Sequence, residues 1–267
     1  MGELSDPDFP LLIPDWPLPA GVRSVITMRR RSQLKSGGAE FISRDLGEVE
    51  SQDTRGAQSL LMRQLDLSKS PQWLQQVHGV AVIEASGNAL SPQADASYTR
   101  QPGLACAVLT ADCLPLLISA KDGSLVAAIH AGWRGLADGI IAATLTALAV
   151  TPSDLMVYLG PAISAQHFEV SPQVRQAFLD GCIKLSGGGI KGGVSPGAVA
   201  AYFSPSTRQK GHYLADLYQL ARVQFESLGV SDIYGGEYCT YAQSSKFYSH
   251  RRSKDVGRMA SLIWIEG

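Results

Sequence analysis

The sequence is poor in the features that mark secreted, membrane-bound or nucleic-acid-binding chains. Its four cysteines, Cys106, Cys113, Cys182 and Cys239, are too sparse in 267 residues for a disulfide framework and fit free thiols in a reducing compartment. No apolar run is long enough to span a bilayer, and the most apolar region, residues 104–120, is broken by Asp112. The first residues are acidic and proline-rich where a secretory signal needs a basic start and an apolar run. A formal net charge of −1 gives no global attraction to nucleic acid or an anionic membrane. These absences predict a cytoplasmic protein with neither a nucleic-acid nor a membrane partner.

What is present is an ordinary globular balance. Hydrophobic residues make up 45% and charged residues 18%, so a packed core is expected and disorder is not. Apolar patterning predicts strands at residues 22–28, 73–82, 105–110, 114–119, 124–130, 156–159, 233–234 and 260–265, the second interrupted at His78 and Gly79. Helices are predicted at 54–65, 136–148, 172–179 and 214–228, the last stopped by Gly229. Asp122 and Gly123 read as a turn. Residues 186–198, with Gly187, Gly188, Gly189, Gly192 and Gly193, lack the Lys-Ser/Thr ending of a phosphate loop, so a flexible insertion is expected. With no internal repeat, the alternation of strands and helices predicts a single α/β unit over residues 1–267.

Three short segments carry the chemistry: Gln76-Val77-His78-Gly79, Thr110-Ala111-Asp112-Cys113-Leu114-Pro115 and His130-Ala131-Gly132-Trp133-Arg134-Gly135. Each sets an imidazole or a thiol at a strand end, where residues distant in sequence can converge. Two imidazoles and a thiolate suit zinc and leave a fourth position open, as catalytic zinc sites do. The spacing is not that of a local zinc finger, so each residue could equally be a packed side chain. Asp112 reads either as a carboxylate orienting a ligand or as a hydrogen-bonding turn residue.

The segments WLQQVHG, ADASYT, TADCLPLLI, AAIHAGWRGL, LGPAISAQHFEV, YLADLYQLA and GRMASLIWI resemble the YfiH-like family, also described as laccase-domain or polyphenol-oxidase-like proteins and as zinc purine nucleoside phosphorylases. The resemblance runs over residues 15–265. It implies an α/β (α+β) fold, a mixed-sheet four-layer α/β/β/α sandwich. It also implies one zinc ion per chain on His78, Cys113 and His130, with copper as a possible substitute, and catalytic roles for Cys113 and His130. The implied reaction is phosphorolysis of adenosine and inosine, with 5′-methylthioadenosine cleavage and adenosine deamination as related activities, so nucleoside and phosphate are the expected partners.

Phosphate needs cations, and Arg29, Arg134, Arg251 and Arg252 are the candidates, each equally readable as a surface charge or structural ion pair. Glu169 reads as an acid–base candidate or, more simply, a structural carboxylate; His167 and His212 read as surface histidines. Two segments depart from the family pattern. The glycine-rich TRxGGVS motif appears at residues 27–32 with Arg29 for its arginine but without its glycines, SxNLG appears within residues 41–47 as Ser43-Arg44-Asp45-Leu46-Gly47, and FSYRRD appears with His250 for tyrosine and Ser253 for aspartate.

Other classes remain open. A multicopper oxidase needs a trinuclear cluster besides its single-copper site, and five histidines are too few for it. A Cys113–His130 or zinc amide hydrolase editing cell-wall precursors is a further alternative, and a purine-binding module without turnover another.

Overall fold

A computed structural model describes residues 9–29, 52–88, 91–187, 194–254 and 257–267. Its first half contains β1 (Leu11–Leu12), β2 (Val22–Thr27), α1 (Gln52–Gln64), β3 (Val82–Glu84), β4 (Ala96–Thr99), β5 (Ala105–Thr110), β6 (Leu114–Ala120) and β7 (Val126–Ala131). Then come α2 (Trp133–Asp138), α3 (Ile140–Leu148), β8 (Leu155–Leu159), β9 (Glu169–Val170) and α4 (Pro172–Gly187). The chain ends with α5 (Pro196–Ala200), β10 (Phe203–Pro205), β11 (Tyr213–Ala215), α6 (Leu217–Ser227), β12 (Asp232–Gly235) and β13 (Met259–Ile265).

Strands β5 to β8 are predominantly apolar, and every position in them is buried, as a strand covered on both faces requires. A mixed six-stranded sheet has the order β12-β8-β6-β7-β4-β3, with parallel pairs only at its two edges, and an antiparallel four-stranded sheet has the order β1-β2-β13-β5. Side chains alternate between faces, so each strand feeds two cores. Cys106 and Val108 of β5 meet Leu117 of β6, Val126 and Ala128 of β7, and Tyr158 of β8 between the two sheets. Ala105, Ala107 and Leu109 face the opposite way, onto Ala57 and Leu61 of α1. Leu116, Ile129 and Val157 face outward from the larger sheet onto Leu136, Ile140, Phe178 and Phe225 of the helices. The result is the four-layer α/β/β/α order, with a small third sheet, β10-β11-β9, beside it.

The departures from the sequence expectation have local causes. Residues 73–82 do not form a strand; only Val82–Glu84 does, because the amides of Val77, His78 and Gly79 are taken by the Asp95 carboxylate and not by a neighbouring strand. The helix expected over 136–148 is two, broken at Gly139, whose φ of 96° is left-handed. The helix expected from 214 starts at Leu217, where Asp216 caps it by accepting the Gln219 N–H, and Tyr213–Ala215 pair as a strand instead. The short strands of the third sheet and β4 were not legible as strands. Of the glycine-rich stretch, residues 186–187 end α4 and 196–198 lie in α5, while 188–193 fall outside the described residues. No helix among the described residues is long and apolar enough to cross a membrane.

Candidate metal centre

Strand register assembles the site. In the larger sheet β7 lies between β4 and β6, with Ala96 opposite Ile129 and Leu114 opposite Ala131. One step beyond those pairs, Asp95 stands beside His130 and Cys113 beside Gly132. Residues 130 and 132 share a face, the one turned toward the smaller sheet. His130, on the last turn of pleat before β7 ends, therefore has Asp95 on one side and Cys113 on the other. The backbone confirms the register, with the His130 N–H donating to the Asp95 carbonyl at 2.7 Å.

His78 arrives from outside both sheets. The Gln76 side-chain amide docks like a strand on the edge of β5, donating to the Leu109 carbonyl and accepting its N–H, both at 2.7 Å. Asp95 then accepts the N–H groups of His78 (2.9 Å), Gly79 (2.7 Å) and Val77 (3.3 Å). His78 takes a left-handed φ of 61°, which turns its ring into the site. Two glycines make room for this loop: a Cβ at Gly132 would lie 2.5 Å from His78 Cδ2, and one at Gly135 2.6 Å from the Gly79 carbonyl oxygen. The glycines of the HAGWRG segment thus serve the QVHG segment.

The ligand atoms of His78, Cys113 and His130 all lie within 4.8 Å of one another, and Cys113 Sγ is 3.8 Å from His78 Nε2. The two rings meet edge to face with centroids 4.7 Å apart. His130 Nδ1 pairs with Asp95 Oδ1 at 2.8 Å, which leaves Nε2 free for a metal. A carboxylate behind a histidine fixes its tautomer and raises its basicity. This donor set fits a metal ion: two oriented imidazoles and a thiolate-forming sulfur, with His78 and Cys113 only half-buried and so open on one side.

The electrostatics prepare the sulfur for coordination and leave a proton on His130. Burial works against ionisation of Cys113, but hydrogen bonds from His130 and His78 outweigh it and lower its pKa to about 6. Burial likewise disfavours a charged His130, and Asp95 and Cys113 outweigh it, raising its pKa to about 9. Without metal, near neutral pH, the pair is a thiolate and an imidazolium. A metal must displace the His130 proton and need not displace one from Cys113. Zinc uptake at about pH 7.5 is therefore expected to release about one proton from this pair, and fewer above the His130 value. Titration calorimetry in buffers of different ionisation enthalpy measures this, and release of two protons at that pH would refute the thiolate–imidazolium pair.

Asp112 does not touch a ligand ring. At a φ of 95° it accepts the Thr240 hydroxyl and the Arg251 N–H, each at 2.6 Å, and so ties the loop after β12 to the residue before Cys113. The carboxylate behind the site is Asp95, in the ADASYT segment, which the sequence reading quoted without a role. The signal was an aspartate entering a buried strand, where an ionised side chain requires partners.

The arginines separate. Arg252 donates to the carbonyls of Thr240, Tyr241 and Phe247 and braces that loop. Arg29 donates to the Ser244 carbonyl and sits 5.7 Å from the Tyr248 ring centroid. Arg251 is exposed, anchored through the Glu169 carbonyl and over the Phe168 ring. Arg134 is exposed on the first turn of α2, over Trp133 and two residues from Gly132. Glu169 accepts the Ser206 hydroxyl, which favours its structural reading. His167 and His212 are half-buried, and His167 stacks on Tyr241. His250 and Ser253 are exposed, and residues 30–32 and 41–47 of the divergent motifs lie outside the described residues.

Comparison with known proteins agrees with this architecture. The family model described as multi-copper polyphenol oxidoreductase laccase matches residues 43–266. A protein of Pseudomonas aeruginosa named purine nucleoside phosphorylase is 42% identical, covering 96% of this chain and 98% of its own. The Escherichia coli purine nucleoside phosphorylase YfiH is 40% identical with the same coverage. A Neisseria meningitidis crystal structure superposes with a TM-score of 0.80 at 39% identity, covering 96% of this chain and 99% of that one. With its layers, its converging His-Cys-His segments and these relatives, the chain belongs to the YfiH-like, laccase-domain family.

Proposed function

We propose that this protein is a zinc-dependent purine nucleoside phosphorylase that cleaves adenosine and inosine with inorganic phosphate, giving the free base and ribose 1-phosphate. The observation that carries the reading is the convergence of His78, Cys113 and His130, ligand atoms within 4.8 Å, in a chain whose near-full-length relatives bear that name. His78, Cys113 and His130 would hold the ion, and zinc there supplies a Lewis acid that orients and polarises oxygen. Asp95 keeps His130 Nε2 available by binding Nδ1. Arg251 and Arg134, exposed and anchored by their neighbours, neutralise phosphate as it approaches the anomeric carbon. Val77 and Val80, exposed on the loop that carries His78, would offer a purine face an apolar surface. Methylthioadenosine would enter the same site, and deamination of adenosine would use water in place of phosphate.

The test is base release by zinc-loaded protein from adenosine and inosine, with and without phosphate. Release that requires phosphate is expected, and its absence refutes phosphorolysis. Arg251→Ala is expected to raise the KM for phosphate about tenfold or more, since one charge-assisted contact contributes about 1.5–3 kcal/mol. An unchanged KM would remove Arg251 from the phosphate site.

A second reading rests on the metal-free pair, in which Cys113 titrates at about 6 and His130 at about 9. That is the state of a Cys–His nucleophile, which would serve an amide hydrolase. Amide cleavage that persists after metal removal and stops on alkylation of Cys113 would favour it. Polyphenol oxidation by copper at the same ligands, and purine binding without turnover, are the remaining outcomes of the same assays.

A further inference from the structure

Beside the metal centre lies a second group of chemically active side chains that neither the three ligands nor the arginines employ. Cys239, on the loop after β12, is half-buried and forms an isolated parallel bridge with Ala162. Its sulfur is approached by donors from several directions. The Ser164 hydroxyl donates to Sγ at 3.1 Å and the Ala242 N–H at 3.4 Å, and His167 Nδ1 lies 3.6 Å away. Ser164 Oγ and His167 Nδ1 are 3.3 Å apart, and the imidazole is held in place by stacking on Tyr241, centroids 4.6 Å apart. Since the serine spends its one proton on sulfur, its oxygen is left to accept from an Nδ1–H. A sulfur surrounded by donors is a setting for a thiolate.

The other described cysteines are placed differently. Cys106 is fully buried and pushed up to about 12 by burial, which makes it inert. Cys113 faces the two histidines of the metal centre. Burial raises the Cys239 pKa too, but the Ser164 hydroxyl and the N–H groups of Ala242, Ser164 and Tyr241 outweigh it and hold the thiol below its ordinary value.

We propose that Cys239, with Ser164 and His167, forms a thiol–disulfide exchange site that takes low-molecular-weight disulfides. The thiol proton leaves to solvent, His167 and Ser164 hold the resulting thiolate as donors, and the Sγ thiolate attacks one sulfur of the disulfide. A new bond forms between Sγ and that sulfur, the original S–S bond breaks, and the departing thiolate carries away its electron pair. The disulfide is the only oxidant, and one equivalent of thiolate is released per adduct. The adduct stands next to Thr240, whose hydroxyl holds the Asp112 carboxylate one residue before Cys113.

The test reacts the full-length, zinc-loaded chain with excess 5,5′-dithiobis(2-nitrobenzoate) at about neutral pH, following thiolate release and mapping the adduct by peptide mass spectrometry. One thiol, Cys239, is expected to react about tenfold faster than any other. Cys239→Ser removes that phase, and His167→Gln and Ser164→Ala each slow it severalfold. A fast phase mapped to another cysteine, a fast phase that survives Cys239→Ser, the absence of any fast phase, or rates unchanged in both His167→Gln and Ser164→Ala would overturn the proposal. Mapping in the unmutated chain keeps the test decisive if a variant folds poorly. Because the readout is the adduct itself, the result is independent of the phosphorolysis reading.

Discussion

Asp95→Ala is expected to lower metal affinity about 10–100-fold and to destabilise the fold by about 3–5 kcal/mol. The carboxylate is fully buried, and it accepts from His130 Nδ1 and from the N–H groups of Val77, His78 and Gly79. Removing it frees the His130 ring to turn, releases the loop that carries His78, and strands buried donors without an acceptor. Competition against a zinc chelator and denaturant unfolding measure the two effects separately. Affinity unchanged from the parent would show that Asp95 does not position the ligands. The pH dependence has a definite sign. Burial opposes ionisation of Asp95, but His130 and the amides outweigh it, so its folded pKa lies below the reference value of 3.8. Its contribution to stability is complete above that reference value and is lost as the pH falls through the lower folded value.

Gly132→Ala is expected to reduce metal affinity by roughly 100-fold while leaving Cys113 and His130 in place, because it removes one ligand of three. The new Cβ would stand 2.5 Å from His78 Cδ2, a separation no packed pair of carbons tolerates, and the loop must retreat. Gly132 has a φ of −65°, so the effect is one of space and not of backbone conformation. Gly197→Ala is the control: a Cβ there meets nothing within 4 Å, and metal affinity and stability are expected to hold. Cobalt-substituted protein reports the ligand set directly. A spectrum unaltered by Gly132→Ala would mean that His78 is not a ligand or that the loop yields without cost.

Much of the central framework was legible because fully buried strands show themselves as continuous apolar runs. The strands expected at 105–110, 114–119 and 156–159 needed no partner information to be recognised, and they form at 105–110, 114–120 and 155–159. The turn at Asp122 and Gly123 was legible for a similar reason: Asp122 accepts the Ser124 N–H and Gly123 has a φ of 77°. Elements whose hydrogen bonds depend on distant side chains were not. Residues 73–82 read as an interrupted strand, yet Asp95, 16 to 18 positions from Val77, His78 and Gly79, takes three of their amides. Tyr213–Ala215 continue the periodicity of α6 but pair with β9 and β10.

The sequence by itself determined which residue types could hold a metal and that His78, Cys113 and His130 each lie in a short segment with glycine, proline or a polar residue close by. Motif resemblance joined them into one set. Only the tertiary structure decided what makes the set work: sheet register puts Asp95 and Cys113 on either side of His130, and two glycines of one segment clear space for the histidine of another. It also decided that Asp112, beside the ligand in sequence, serves the loop after β12, while Asp95, 35 residues from His130, serves the ligand. The physical reason is that residue type fixes what a side chain can bind. Which partner it binds depends on cross-strand neighbours, and those are set by folding the whole chain.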